Sequence, residues 1–257
     1  MTTPLLSARN LSKRYGARLG CADVSFDLYE GEVLAVVGES GSGKSTLLGL
    51  ISTELAATSG SVHYRFRDGQ TRDLASLSES ERRFLLRTDW GFVRQDAREG
   101  LRMGVSAGGN VGERLMAVGE RHYGQIRAKA EDWLGRVEIE ASRTDDMPGS
   151  FSGGMRQRLQ IARNLVTHPR IVFMDEPTSG LDVSVQARLL DLIRGLVADL
   201  GLAVVIVTHD LAVARLLSHR TLVMRGGHVV ETGLTDQVLD DPQAPYTQLL
   251  VSSVLPA

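Results

Sequence analysis

The sequence predicts an α/β fold that combines a mixed sheet core, antiparallel N-terminal strands and a helical subdomain. Three observations point to it. The first 70 residues alternate apolar and polar side chains as strands do, residues 90–147 are broken by glycines and helical stretches, and strand and helix alternate after residue 170. The chain has 257 residues, 42% of them hydrophobic, which suffices for one large domain.

The N-terminal part is expected to be mostly β-structure. Apolar side chains fall on every second position of residues 24–28 and again of residues 62–66. The apolar run Val33–Val37 is typical of a strand buried on both faces. Ser78 and Glu81 have the spacing of a capping box, which predicts the start of a short helix.

The middle of the chain is expected to be mainly helical. Glycines interrupt residues 100–112, and helical patterns follow at residues 113–118 and 125–137. We therefore expect a single domain over residues 1–257, with a helical subdomain at approximately residues 90–160 inserted in its core.

The last third alternates strands and helices. The pattern predicts a strand at residues 171–174, a helix over Val183–Leu200 and a strand at residues 203–207. Two adjacent glycines predict a hairpin over residues 221–231. Such alternation is typical of a parallel sheet, which binds ligands at the carboxyl ends of its strands.

Composition excludes several classes of function. The formal net charge of −2 argues against a surface built for nucleic acid, so no nucleic-acid partner is expected. The single cysteine, Cys21, excludes a disulfide framework and a cysteine-rich metal site. Apolar runs fall far short of the ~20 residues that cross a bilayer, and a secretory signal is lacking. We expect a cytoplasmic protein without a membrane span.

The strongest motif is G-E-S-G-S-G-K-S at residues 38–45, which fits the pattern G-x-x-x-x-G-K-[ST]. It follows an apolar run and precedes a helical pattern at residues 46–51, as the motif requires. Its glycines let backbone N–H groups surround phosphate oxygens, Lys44 can neutralise the β- and γ-phosphates, and the Ser45 hydroxyl can ligate Mg²⁺. A chance match occurs in roughly one chain in two hundred, so the sequence predicts a nucleotide-phosphate site.

Two carboxylates follow the predicted strand at residues 171–174. Burying the charged carboxylates of Asp175 and Glu176 at the end of a strand costs free energy unless a cation or a hydrogen-bond partner lies there. Asp175 can hold Mg²⁺ directly or through water, and Glu176 can polarise the water that attacks the γ-phosphate. An Asp-Glu pair by itself would indicate only an ordinary turn after a strand. Together with the phosphate motif, the pair favours a catalytic role.

A third element is F-S-G-G-M-R-Q-R at residues 151–158, the signature segment. Ser152 is expected to cap a helix whose first residues, Gly153 and Gly154, leave N–H groups open to an anion. Alone, this pattern is weakly specific. Together, the three elements resemble the nucleotide-binding domain of the ATP-binding-cassette (ABC) superfamily over nearly the whole chain, which implies a P-loop ABC fold.

The resemblance adds further residues. The signature segment is similar to the ABC signature motif, with Phe151 and Met155 where Leu and Gln are commonest. It implies ATP-binding residues Tyr15 (stacked on adenine), Gly38, Glu39, Ser40, Gly41, Ser42, Gly43, Lys44, Ser45, Thr46 and Gln95, with Ser152, Gly153, Gly154 and Met155 acting on the ATP of a partner domain. It also implies the catalytic residues Glu176 and His209, the D-loop residue Asp182, and Ser45, Gln95 and Asp175 as Mg²⁺ ligands.

The resemblance also implies an assembly. In this family ATP is sandwiched between the phosphate loop of one domain and the signature helix of another. The chain holds one copy of each, so two domains must meet. A homodimer around two ATP is the simplest form, and pairing with a second related ABC ATPase is the alternative.

Two segments indicate different partners. The tail segment D-P-Q-A-P-Y-T, residues 241–247, resembles ATPases of oligopeptide and nickel importers. Residues 96–116 depart from the Ser-Leu-Asn-Pro-like pattern that helps such importers hold a permease. These residues resemble the ATP-binding subunits of phosphonate carbon–phosphorus lyase systems, which dock on a soluble multi-subunit core. The similarity extends through residues 121–124, 151–169, 182–210 and 251–255.

Three hypotheses follow. We favour an ATP-hydrolysing subunit that docks on the soluble core subunits of a carbon–phosphorus lyase. The second is the ATPase of a peptide, nickel or phosphonate importer. The third, an ABC ATPase acting on nucleic acid or the ribosome, gains no support from the near-neutral charge. A binding module without hydrolysis is disfavoured because Glu176 and His209 are both in place.

Overall fold

The structure is a computed structural model that describes residues 3–254 and divides into two compact units. The first unit contains the residues up to 82 and those from 201 onward, and the second contains residues 83–200. The single domain and the subdomain limits expected from the sequence stay predictions.

The elements are as follows. In chain order, the strands are β1 (Leu6–Tyr15), β2 (Arg18–Leu28), β3 (Val33–Val37), β4 (Ser59–Arg65), β5 (Thr71–Asp73), β6 (Trp90–Val93), β7 (Ile171–Asp175), β8 (Ala203–Thr208), β9 (Arg220–Arg225) and β10 (His228–Leu234). The helices are α1 (Lys44–Ile51), α2 (Glu79–Thr88), α3 (Ala97–Gly100), α4 (Ala107–Ala117), α5 (Tyr123–Arg136), α6 (Gly153–Leu165), α7 (Val183–Leu200), α8 (Leu211–Leu217), α9 (Thr235–Asp240) and α10 (Pro245–Val254). Within residues 3–254, no helix is both long and apolar enough to span a membrane.

The first unit contains two groups of strands. An antiparallel sheet has the order β2-β1-β4-β5, and its apolar positions Val24, Leu28 and Val62 are buried as the alternation predicted. In the other group, β3 pairs in parallel with β8 and with β9, and β9 and β10 form the predicted hairpin. Every residue of β3 and β8 is buried. Because β3 and β8 are parallel neighbours, the residues that follow them emerge at one edge of the sheet.

The second unit combines the parallel pair β6 and β7 with helices α3 to α7. The sequence placed the start of one helix at residue 113, but α4 already begins at Ala107. Its glycines are needed for close packing: a Cβ at Gly108 would lie 2.5 Å from Cγ2 of Thr144, and one at Gly112 would lie 2.7 Å from Cγ2 of Ile126. Packing therefore outweighs the low helix propensity of glycine here.

Local signals for the helix ends are confirmed. The N–H of Ser78 donates to Oε2 of Glu81 at 2.9 Å, and the N–H of Glu81 donates to Oγ of Ser78 at 3.3 Å. These Ser78 donors lower the pKa of Glu81, which stays an anion at the start of α2. Helix α7 has the predicted limits, and Gly201 follows it with a φ of 59°.

Candidate active site

The phosphate loop, residues 38–46, connects β3 to α1 in the first unit. The ammonium group of Lys44 donates to the carbonyl oxygens of Gly38 at 2.7 Å and Glu39 at 2.8 Å. The Lys44 side chain is buried, with 5% of its surface exposed. Its positive charge is therefore held within the loop, where the motif predicted phosphate oxygens.

Two glycines of the loop are required by its packing. Gly38 has a φ of 146°, and a Cβ there would collide with the carbonyl oxygen of Met224. Gly43 has a φ of 104°, and a Cβ there would collide with the carbonyl oxygen of Gly20. Since Gly43 is also the N-cap of α1, the first N–H groups of this helix are left without a capping side chain. This is the backbone arrangement that an anion needs.

Two of the four hydroxyl groups of the loop differ in environment. Ser45 is exposed at the start of α1, the position from which a hydroxyl can reach a cation. The Oγ atom of Ser42 is buried and has no hydrogen-bond partner among the residues that the structure describes. An unpartnered polar atom in this position is consistent with a loop shaped for a polar ligand.

Tyr15 lies beside the phosphate loop. A Cβ at Gly20 would be 2.9 Å from both Cε2 of Tyr15 and Cγ2 of Thr46, so the ring and the start of α1 flank the same glycine. The ammonium group of Lys13 lies 5.3 Å from the ring centroid, and 46% of Tyr15 is exposed. Stacking of Tyr15 on adenine stays a prediction.

His209 follows β8 and is exposed. Its neighbour Asp210 caps α8 by accepting from the N–H of Ala212 at 2.8 Å, and the N–H of Asp210 donates to Oγ1 of Thr208 at 3.0 Å. These bonds fix the turn that carries His209 at the carboxyl end of the strand.

The predicted carboxylates lie in the second unit. Asp175 ends β7 and is half-buried, and Glu176 has a φ of 42°, which is uncommon for a residue with a side chain. Gln95 donates from Nε2 to Oε2 of Glu176 at 3.4 Å and to Oγ of Ser179 at 3.0 Å. The structure thus brings together two predicted residues, Gln95 and Glu176, and adds Ser179 to them.

A cavity of about 420 Å³ lies next to these side chains, entirely within the second unit. Its lining includes Gln95, Asp175, Gly153 and Arg156. The cavity therefore adjoins both the predicted catalytic strand end and the start of the signature helix α6.

The signature segment begins α6 as predicted. Oγ of Ser152 accepts from the N–H of Met155 at 3.3 Å and so caps the helix. Gly154 packs so closely on α7 that a Cβ there would collide with Cγ1 of Val185. Asp182 caps α7: it accepts from the N–H of Val185 at 3.0 Å, which lowers the pKa of its carboxyl.

Arg143 was not predicted, although it holds the signature segment from the side. Its guanidinium lies 4.5 Å from the ring of Phe151 and donates to the sulfur of Met155 at 3.4 Å. Nε also donates to Asp146 at 2.7 Å. Arg143 thus contacts both residues at which this segment differs from the commonest signature sequence.

Two buried amides of α6 were also missed. Asn164 accepts from the N–H of Phe92 at 2.9 Å and donates to its carbonyl oxygen at 2.8 Å. Gln160 accepts from the N–H of Arg94 at 2.6 Å and donates to its carbonyl oxygen at 3.2 Å. Asn164 and Gln160 pair with this stretch of chain as a neighbouring strand would. They attach the signature helix to the chain that leads into Gln95.

We predict that Asn164→Ala lowers the free energy of unfolding by about 2–4 kcal/mol, because it removes a buried side chain and its two hydrogen bonds to the part-buried backbone groups of Phe92. Urea denaturation followed by circular dichroism measures the change. Gln125→Ala, an amide truncation on the exposed side of α5, is the matched control and should cost less than about 0.5 kcal/mol. Equal losses in the two variants would contradict the prediction.

The predicted site residues are divided between the two units. Tyr15, the phosphate loop and His209 lie in the first, and Gln95, Asp175, Glu176, the signature segment and Asp182 lie in the second. Their common action on one nucleotide stays a prediction.

Comparison with known proteins identifies the family. The family model described as ABC transporter matches residues 21–179. A putative phosphonates utilization ATP-binding protein, PhnK, of Escherichia coli (strain K12) is 67% identical over 255 residues, 99% of both chains. The dipeptide transport ATP-binding protein DppF of the same organism is 37% identical over 97% of this chain and 76% of its own length.

Solved structures agree with the sequence comparisons. The ATP-binding cassette MJ0796, a dimer in a post-hydrolysis state bound to ADP and Pi, shares 30% identity at a TM-score of 0.79 and covers 90% of this chain and 98% of that chain. The cbiO1 protein from Clostridium perfringens, part of an ABC transporter complex, shares 28% identity at a TM-score of 0.79, covering 93% and 91%. The predicted fold class is confirmed. The chain belongs to the ABC transporter family and is an ATP-binding cassette ATPase.

Proposed function

We propose that this chain is the ATP-hydrolysing subunit of a carbon–phosphorus lyase complex and that it serves phosphonate utilisation by docking, as a homodimer, on the soluble enzyme core. The observation that carries the proposal is the 67% identity over 99% of both chains to a protein named for phosphonate utilisation. The dipeptide transport relative matches at 37%. The lower identity to a transport ATPase favours the phosphonate assignment.

The reaction is the hydrolysis of ATP to ADP and phosphate. In our proposal the phosphate loop binds the triphosphate through its backbone N–H groups, and Lys44 neutralises the β- and γ-phosphates. Glu176 accepts the proton of the attacking water, Gln95 orients the Glu176 carboxyl through the bond between them, and His209 stabilises the charge that develops on the γ-phosphate.

We propose Mg²⁺ as the cation that accompanies the nucleotide, where it would neutralise phosphate charge. Ser45, Gln95 and Asp175 offer hydroxyl, amide and carboxylate oxygens, the donors that Mg²⁺ prefers. The amide nitrogen of Gln95 faces Glu176 and Ser179, so its oxygen is the atom for a cation. Among residues 3–254 no cluster of three or more His, Cys, Asp or Glu side chains suits a metal. Phosphate and water oxygens would therefore complete the shell.

ATP would close the homodimer. Residues 152–155 form the N-terminus of α6, which we assign to the γ-phosphate of the partner's ATP, with Asp182 of the D-loop acting beside it. The dimeric state of the solved cassette MJ0796 supports this arrangement. A second, related ABC ATPase could replace one copy without changing this chemistry.

The docking surface we assign to the core subunits is the segment at residues 96–116. Asp96 caps the short helix α3, and the buried side chain of Asn110 bonds the backbone at Arg102. These bonds order the segment while Arg102 and Met116 stay exposed. An ordered surface with exposed charged and apolar side chains is suited to a protein partner.

The importer ATPase remains the second candidate, because the tail segment and the 37% identity to a dipeptide transport ATPase favour it. The two functions predict that an inactive variant blocks different steps: uptake of the phosphonate for an importer, or release of phosphate from it for a lyase subunit. We expect a host that carries only Glu176→Gln to take up radiolabelled methylphosphonate at the normal rate and to release no phosphate from it. Loss of uptake itself would instead show that the chain energises import.

A further inference from the structure

The phosphate loop is supported from the far end of the chain. The backbone N–H of Glu39, the second residue of the loop, donates to the hydroxyl of Tyr246 at 3.1 Å. Tyr246 belongs to α10 and to the tail segment, and only 5% of its surface is exposed. A side chain from the C-terminal helix therefore contacts the loop at its first turn.

Tyr246 is itself held firmly. The guanidinium of Arg225 lies 4.9 Å from the centroid of its ring. The carboxylate of Glu231 accepts from the N–H groups of Gln243 at 2.8 Å and Ala244 at 3.0 Å, just before α10. Burial raises the pKa of Glu231, but hydrogen bonds from Gln243, the Thr247 side chain and Ala244 together lower it by more, so the group is an anion. The tail segment is thereby fixed to β10.

The hydroxyl of Tyr246 acts on the same peptide group as Lys44. The carbonyl oxygen of Gly38 accepts from the Lys44 ammonium at 2.7 Å, and the N–H of that peptide group, which belongs to Glu39, is the donor to Tyr246. Both ends of one peptide group are thus fixed. Each hydrogen bond polarises the peptide group and thereby strengthens the other hydrogen bond. The orientation of this peptide sets where the ammonium group lies.

Two other supports of the loop come from the backbone. The N–H of Gly227 donates to the carbonyl oxygen of Ser42 at 2.9 Å, and Gly38 packs against the carbonyl oxygen of Met224. These two contacts use backbone atoms. The Tyr246 hydroxyl, in contrast, can be removed while the ring stays in place.

We propose that Tyr246 is a positioning residue for ATP: its hydroxyl keeps the peptide between Gly38 and Glu39, and with it Lys44, in the orientation that accepts phosphates. The inference rests on the phosphate loop being the ATP site. It gives the tail segment a task inside its own chain. The tail segment therefore does not by itself identify a membrane partner.

The test is Tyr246→Phe in the full chain, measured by titration with ATP and by steady-state hydrolysis. We expect the Kd and KM for ATP to rise about three- to tenfold, with kcat at saturating ATP within about twofold of the parent. Tyr123→Phe removes the hydroxyl of a tyrosine on α5 that is 73% exposed, and serves as the control with unchanged Kd. A structural defect alone would lower the melting temperature but would not raise KM while leaving kcat nearly unchanged.

A second variant covers the case in which Tyr246→Phe does not fold. Glu231→Gln loosens the tail segment without touching the loop and should raise the Kd for ATP in the same direction, by a smaller factor. An unchanged Kd in folded Tyr246→Phe would overturn the positioning role alone. Failure of the unsubstituted chain to bind ATP would overturn the site assignment and the inference with it.

Discussion

Glu176→Gln is expected to lower ATP hydrolysis at least about a hundredfold while ATP still binds. The substitution keeps the size of the side chain and a partner for Gln95, but it removes the carboxylate that accepts a proton from water. Bound ATP then persists, and closed dimers accumulate. Phosphate release and size-exclusion chromatography, with and without ATP, measure the two effects.

The control for this variant is Glu140→Gln, the same change at an exposed glutamate of the second unit. It should leave hydrolysis unchanged. Undiminished hydrolysis in Glu176→Gln would exclude this carboxylate as the base.

Lys44→Ala is expected to abolish nucleotide binding. The ammonium group is buried within the loop and bonds the carbonyl oxygens of Gly38 and Glu39. Its removal takes away the positive charge that the phosphates need and two bonds that shape the loop, which together are worth at least about a hundredfold in affinity. Isothermal titration with ATP, performed without hydrolysis at low temperature, checks this result.

Lys129→Ala is the matched control for the lysine change. Lys129 is an exposed lysine of α5 that pairs with Glu120 at 3.0 Å. The same titration should give the parental Kd for it. Parental affinity in Lys44→Ala would mean that phosphates bind without this charge, contrary to the assignment of the loop.

Local sequence patterns predicted the elements that depend on neighbouring residues. The apolar run of β3 and the capping box at Ser78 each carry their structural reason within a few positions. The limits of α7 were predicted for the same reason, because its apolar face and following glycine are both local.

Long-range contacts could not be predicted in this way. Asn164 is a polar residue in a helix pattern, and its partner Phe92 lies 72 positions earlier in the chain. Tyr246 and Glu39 are separated by 207 positions. A single sequence shows neither pairing, since each depends on how the chain folds back on itself. A polar residue on the buried side of α6 was the one available sign.

The glycines of α4 show how a sound local rule can mislead. Gly108, Gly109 and Gly112 argue against a helix by propensity. They nevertheless lie inside α4, because Thr144 and Ile126 leave no room for larger side chains at two of these positions. The packing of the folded chain, which the local sequence does not show, explains why these glycines lie inside a helix.

The most direct test of the proposed function is to identify what Glu176→Gln binds. The tagged variant would be expressed in its native host grown on a phosphonate, purified with ATP present, and its partners identified by mass spectrometry. The proposal predicts soluble carbon–phosphorus lyase core subunits in a defined ratio, lost when residues 96–116 are exchanged for the importer sequence. Membrane permease subunits in a defined ratio would contradict it and identify an importer ATPase.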